Sequence, residues 1–367
     1  MYEIDLSKPK QIVADVLAGH DIDSVAFVGC GASMSELYPA KYFLANNTKT
    51  LNVQLFTANE FNYDTPAWVG PNTFVITCSL GGGTPETVAA NKCAKALGAP
   101  VTAITHVAGS ALTEGVDHVI VHGFEANYAA KVEKMGYAMA LALEVLQQVE
   151  GSDLYDDMVA GLTKVYDLCE EAAQHSGKAA ADFAQAFKDD AGIYVMGSGA
   201  SAKVAYSTSM FLFSEMQWLD SAAYNTGEYF HGPFELTERD KPYLLFMADG
   251  ATRAMDARAL TFMQRFDAKV AVIDAKDFGL SGVVGAKAAT YLSPFVHTAV
   301  MRVFAEQIAE ARQHPEEAAL LKPLAQALTA FPEVRDAAKG GLDSAAIRAA
   351  RIRAEERRER ESRYNRC

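Results

Sequence analysis

The sequence predicts an α/β fold in two tandem halves, each a parallel sheet flanked by helices in a three-layer sandwich. Three observations carry this. Short apolar runs alternate with helical patterns, a Gly-rich turn closes the first run of each half, and the second half repeats the signals of the first in one register.

Residues 9–19 place Ile12, Val13, Val16 and Leu17 on one side of a short amphipathic helix. SVAFVGCGAS (24–33) then reads as a strand and a tight turn, and Met34 to Asn46 as the helix that follows. Strands are expected at 53–57, 73–79, 100–105 and 118–123, with a helix from Pro85 to Leu97 and a long one ending near Val149. Residues 152–189 are helical and charged, with no strand signal. A second half opens with GIYVMGSGAS (192–201), in which Gly197-Ser198-Gly199-Ala200-Ser201 matches Gly29-Cys30-Gly31-Ala32-Ser33. PYLLFMADGATR (242–253) matches TFVITCSLGGGT (73–84), and KVAVID (269–274) matches PVTAIT (100–105). Agreement of separate turn and strand signals on one offset argues for an internal duplication. The boundaries that follow are a lead-in helix over 1–20, a first α/β domain over 21–150, a helical connector over 151–190, a second α/β domain over 191–315, and a charged helical or disordered tail over 316–367.

Composition narrows the function classes. The chain has 367 residues, half of them hydrophobic, so a large core and more than one domain are expected. A net charge of −13 with no basic patch in the body argues against nucleic acid as a partner. The N-terminus lacks a secretory pattern and no apolar run is long enough to span a bilayer, so no membrane partner is expected. Five cysteines without C-x-x-C spacing suit a reducing, cytoplasmic compartment. No His-x-x-x-His or similar spacing indicates a metal, and no cofactor is called for. In particular, Gly29-Cys30-Gly31-Ala32-Ser33-Met34 lacks the third glycine of a dinucleotide fingerprint.

Two turns of the first half have the chemistry of a phosphate site. Backbone N–H groups at a helix start, joined by hydroxyls, hold a phosphate monoester well. Gly31 and Ser33 offer this after the first strand. Ser79-Leu80-Gly81-Gly82-Gly83-Thr84 offers it after the third, with Pro85 marking a helix start and Thr84 its expected N-cap. Taken alone, Ser33 and Thr84 would serve only as helix caps. Their shared position at strand C-termini of one sheet favours a joint site.

With Thr226-Gly227-Glu228-Tyr229-Phe230-His231-Gly232-Pro233-Phe234-Glu235, these turns resemble the double-SIS (sugar isomerase) family. Glu215-Met216-Gln217-Trp218, the stretch 254–262 and Glu310-Ala311-Arg312-Gln313-His314-Pro315 bring the resemblance closest to its deglycases of phosphorylated Amadori compounds. The resemblance covers about residues 20 to 315 and implies two tandem SIS domains. It also implies a sugar-phosphate ligand held by Ser33, Ser79 and Thr84, catalysis by Glu215 and His231, and a homodimer in which His231 completes the partner's site. Gly81 departs from the family pattern, which has a further hydroxyl there in the glucosamine-6-phosphate synthases, and the family's closing C-terminal segment has no clear counterpart.

The chemistry of the residues is compatible with these roles. Proton transfer between C1 and C2 of an amino-ketose needs a tuned base and an acid. Glu215 stands among Phe211, Phe213, Met216 and Trp218, which should raise its carboxyl pKa, and the imidazole of His231 can supply or accept a proton. Read without the motif, Glu215 is a solvent-facing helix position and His231 a turn residue. Glu228 and Arg253 are further candidates for substrate binding, with a solvated carboxylate and a surface ion pair as the plainer readings. Cys30 and Cys78 read as packing. The expected activity is hydrolysis of a 6-phosphofructosyl-amino acid. A sugar-phosphate isomerase, an amino-sugar phosphate deaminase and a non-catalytic sensor are the alternatives. Absence of a glutaminase half and of a helix-turn-helix ahead of residue 20 argues against a synthase and against a regulator.

Overall fold

A computed structural model describes residues 4–123 and 132–314. The tail expected over 316–367 lies outside them. The element order is α1 (Ser7–Gly19), β1 (Ser24–Gly29), α2 (Gly31–Asn47), β2 (Asn52–Thr57), α3 (Ala58–Tyr63), β3 (Thr73–Cys78), α4 (Pro85–Ala96), β4 (Val101–Thr105), β5 (His118–Val121) and α5 (Glu133–Val149). Then follow α6 (Tyr155–His175), α7 (Gly177–Phe187), β6 (Gly192–Gly197), α8 (Ala202–Ser207), a π-helix (Thr208–Met216), β7 (Asp220–Asn225), β8 (Pro242–Met247), α9 (Arg253–Arg265), β9 (Lys269–Asp274) and α10 (Ala286–Ala311).

Two all-parallel sheets form, in the orders β2-β1-β3-β4-β5 and β7-β6-β8-β9. The same permutation in both is what a duplicated unit gives. Every residue of β1 is buried, because a parallel strand inside such a sheet is covered on both faces. Alternation sorts its side chains: Val25 and Phe27 join a core with α1, α2 and α5, whereas Ala26 and Val28 join one with α3 and α4. In β6, Ile193 and Val195 enter the same core as Val25 and Phe27, and Met196 faces a separate cluster with Met263 of α9. The inner layers of both sheets therefore share one core, which α10 threads with Leu292, Phe295, Val296 and Val300 fully buried.

Two local expectations need correction. Asp220–Asn225 forms an edge strand that the sequence reading did not place, since Ser221, Ala222 and Ala223 make no apolar run and the strand is only half covered. Thr84 occupies the N-cap position of α4, but its hydroxyl makes no capping bond. Among the described residues no helix is long and apolar enough to cross a membrane.

Candidate active site

The two hydroxyl-bearing turns lie side by side because β1 and β3 are neighbours in register, with Gly29 opposite Cys78. After Gly29 the chain turns through Cys30 into α2, and Gly31 adopts φ +56°, a conformation that favours glycine. Ser33 is buried in the first turn of α2. After Cys78, the Ser79 N–H donates to the Ile104 carbonyl at 3.1 Å and the Gly82 N–H to the Ser79 carbonyl at 3.2 Å. Gly82, at φ +63°, leaves no room for a Cβ, which would run into Ser110 and Thr105. Gly81 and Gly83 face open space. The Ser79 and Thr84 hydroxyls stand 2.9 Å apart in mutual hydrogen bonding. The hydroxyl that could have capped α4 is thus turned inward, toward Ser79.

One participant escaped the sequence reading. Lys134, at the start of α5, is 4% exposed. Its ammonium pairs with Glu36 of α2 at 2.5 Å and donates to the Ser33 hydroxyl at 3.4 Å. A lysine this buried needs an ionic partner, and Glu36 supplies it. The only signal in the sequence was a charged residue at the head of the apolar run EKMGYAMALAL.

Glu215 is carried by the π-helix, a widened turn that recurs at functional sites. The helix also carries Phe211, whose ring packs 3.4 Å from the place a Cβ on Gly31 would occupy, tying the Glu215 segment to the first turn. A narrow cleft, open to solvent, lies between them, lined among others by Ala32, Glu36, Lys203, Phe211 and Met216. Glu215 is exposed at the surface, yet the protein around it desolvates the carboxyl enough to hold its pKa above the usual carboxylate range.

His231 ends a short 3-10 helix, Thr226–His231, after β7. Buried Tyr229, bonded through its hydroxyl to Thr237 at 2.5 Å, anchors the motif. Phe230 packs against Phe262 and under the Arg258 guanidinium. Both Glu228 and His231 stay exposed. No hydrogen bond or ion pair joins Glu215 to His231 among the described residues. Arg253 is engaged elsewhere, in a forked pair with Asp274 at 2.6 and 2.5 Å. That is the ion-pair alternative of the sequence reading rather than a group presented to a ligand.

The duplicated turn of the second half is filled by its own side chains. Fully buried Asp256 accepts from the Ser198 hydroxyl at 2.9 Å and from the Ala248 N–H at 3.1 Å. Thr252 crowds Gly199, whose Cβ would lie 2.9 Å from the threonine oxygen. Only the first half keeps its glycine-rich turn open.

The fold is shared with known proteins. The SIS domain family model matches residues 20–146. The chain is 35% identical to the fructosamine deglycase FrlB of Bacillus subtilis over 299 residues, which cover 82% of this chain and 91% of that protein. It is 24% identical to the fructoselysine 6-phosphate deglycase of Escherichia coli K12, over 71% of this chain and 76% of that one. A crystal structure from Salmonella typhimurium LT2, described as a candidate phosphosugar isomerase, superposes with a TM-score of 0.84 at 35% identity and covers 88% of this chain and 97% of its own. The C-terminal domain of a glucosamine-fructose-6-phosphate aminotransferase from Francisella tularensis shares the fold, with a TM-score of 0.69 at 16% identity, over 84% of this chain and 95% of that domain. On the fold, the paired turns and a 35% identity over most of both chains, the protein belongs to the SIS domain family of enzymes.

Proposed function

We propose that the protein is a cytoplasmic deglycase that hydrolyses a 6-phosphofructosyl-amino acid to glucose 6-phosphate and the free amino acid. The observation that carries this reading is the placement of Ser79 and Thr84 beside the Gly31–Ser33 turn, with the Glu215 helix packed on Gly31. Likeness to two deglycases supports the choice of substrate class.

In this mechanism the two turns hold the phosphate through backbone N–H groups and the hydroxyls of Ser33, Ser79 and Thr84. Lys134, paired with Glu36, donates to the Ser33 hydroxyl from behind and holds it in place. With the sugar open, the Glu215 carboxylate takes a proton from C1 while the carbonyl oxygen at C2 gains one, giving an enaminol. Return of a proton to C2 leaves an imine between C1 and nitrogen. Water then adds to C1, the C1–N bond breaks with its electron pair going to nitrogen, and nitrogen takes a proton. C1 is oxidised and C2 reduced, so no external redox partner is needed. The raised pKa of Glu215 suits a base working near neutral pH.

His231 supplies the acid that opens the ring. Its exposure, with no hydrogen bond or ion pair to Glu215 among the described residues, fits a homodimer in which the histidine serves the partner's site. The deciding measurement is release of glucose 6-phosphate, by a coupled assay, across phosphorylated Amadori compounds of aspartate, asparagine and lysine. Turnover of at least one is expected. Isomerisation of a free ketose phosphate with no turnover of any adduct overturns the reading.

A further inference from the structure

Two sequence stretches that carry the family resemblance, Glu215-Met216-Gln217-Trp218 and Glu310 to His314, meet in the structure. The π-helix ends one residue after Glu215. Phe213's carbonyl takes both the Gln217 and the Leu219 N–H, at 3.2 and 3.0 Å, and between them Trp218 is held at φ +53°. A left-handed conformation is costly for a bulky residue and persists only where its surroundings fix it. Here the end of α10 does so. The Gln217 side chain, 1% exposed, donates to the His314 carbonyl at 3.0 Å across 97 residues of sequence. Trp218 and His314 meet edge to face with ring centroids 4.5 Å apart. Arg312 donates to the carbonyl of Lys188, just past α7, at 2.7 Å and reaches the Gln217 carbonyl at 3.5 Å.

We propose that Arg312 and Gln217 are positioning residues that hold the end of the π-helix, and with it the Glu215 carboxylate, against the first-half turns. The proposal rests on Glu215 being the base. Arg312 and Gln217 touch no part of the phosphate site. They act by fixing where the helix ends. An error of about 1 Å in a reacting group costs on the order of 10²-fold in rate, so loosening this end should act on turnover rather than on affinity.

The test is a double-mutant cycle on the full chain, with kcat and KM for a 6-phosphofructosyl-amino acid and inhibition by inorganic phosphate. Arg312→Met is expected to lower kcat ~10- to 100-fold. KM and phosphate inhibition should change less than ~3-fold, since the phosphate turns lie on the other sheet. In a Glu215→Gln background the same change should alter the residual rate by under ~2-fold, because a residue acting through Glu215 has nothing left to position. Arg312→Lys, which can still reach the Lys188 carbonyl, should recover most of kcat. Gln217→Met removes a single bond and gives the same pattern should Arg312→Met fail to fold. Equal losses with and without Glu215, or an unchanged kcat in folded Arg312→Met and Gln217→Met proteins, overturn the positioning role and leave the base assignment standing. Near-normal turnover by Glu215→Gln alone overturns the base assignment itself, and the positioning role with it.

Discussion

The ring of Phe211 lies over Gly31, with its Cε1 3.4 Å from the position of an added Cβ, so the segment that carries Glu215 rests directly on the first hydroxyl-bearing turn. Gly31→Ala has to hold φ +56° with a side chain, at a cost of ~1–2 kcal/mol, and to push against that ring. A fall in Tm of ~1–3 °C is expected. KM should rise ~5-fold or more if the turn binds substrate phosphate. In the double variant Gly31→Ala/Phe211→Ala the crowding is relieved and the backbone strain remains, so KM should recover only in part. A Gly31→Ala enzyme with a normal KM removes this turn from the site.

The Ser79 and Thr84 hydroxyls share a hydrogen bond at 2.9 Å. Hydrogen bonds to a charged group contribute ~1.5–3 kcal/mol, so Ser79→Ala and Thr84→Val should each raise KM by ~10-fold or more. Because the phosphate is remote from C1 and held alike in ground and transition states, kcat should stay within ~3-fold. Inhibition by inorganic phosphate should weaken in parallel. A loss confined to kcat in both variants would falsify the phosphate role.

How far this site was legible in the sequence follows from what kind of signal each residue leaves. Gly31, Ser33, Ser79 and Thr84 stand in short turns whose glycines and hydroxyls follow apolar strands, and a parallel sheet brings such turns together by its own register. The parallel sheets followed equally from alternating runs and helices. β7 did not, because Ser221, Ala222 and Ala223 carry no hydrophobic pattern and their pairing with β6 is a tertiary fact. Lys134 was missed since nothing local tells a buried ion pair from a solvated one. Gln217 and His314 were visible as matched stretches, but their meeting is set by where α10 ends. The inward turn of the Thr84 hydroxyl was hidden because a capping threonine and a ligand-binding one look alike in sequence.

His297, fully buried on α10 and bonded through Nδ1 to the Ser201 hydroxyl at 2.9 Å, gives a test of pH-dependent stability. Burial pushes its pKa down to about 4, from an ordinary 6.5. The folded state therefore keeps the ring neutral while the unfolded state protonates it as pH falls below 6.5. Stability from this group is intact above pH 6.5 and is lost progressively toward pH 4, by ~3 kcal/mol in total. Replacing His297 with Gln removes the titration. The Tm of this variant, compared with wild type from pH 7.5 to pH 4.5, should fall less steeply on acidification. Parallel slopes would show that the ring is charged, or reachable by water, in the fold.

The decisive prediction sets Glu215 against His231. Glu215→Gln keeps the shape of the side chain and removes the base, so the fold and phosphate affinity should survive while kcat drops on the order of 10²- to 10⁴-fold. The two states of Glu215 also give a sign on stability. Partial burial raises the folded carboxyl's pKa, so the charged form is the disfavoured one, and Glu215→Gln should raise Tm slightly near pH 8 with the gain vanishing at pH 4. His231→Ala should lose activity less completely, since sugar rings open slowly in water without help whereas nothing in water replaces a base held at C1. Exposed His231 makes no hydrogen bond or ion pair with Glu215 among the described residues, so mixing the two variants under conditions that exchange subunits should restore up to about a quarter of wild-type activity. That fraction follows because half of randomly exchanged dimers are hybrids and each hybrid has one complete site. No recovery despite demonstrated exchange would place both residues within one chain and require the motif to move toward the π-helix when substrate binds. Full activity in Glu215→Gln would instead make Glu228, the exposed carboxylate of the same motif as His231, the next base to replace.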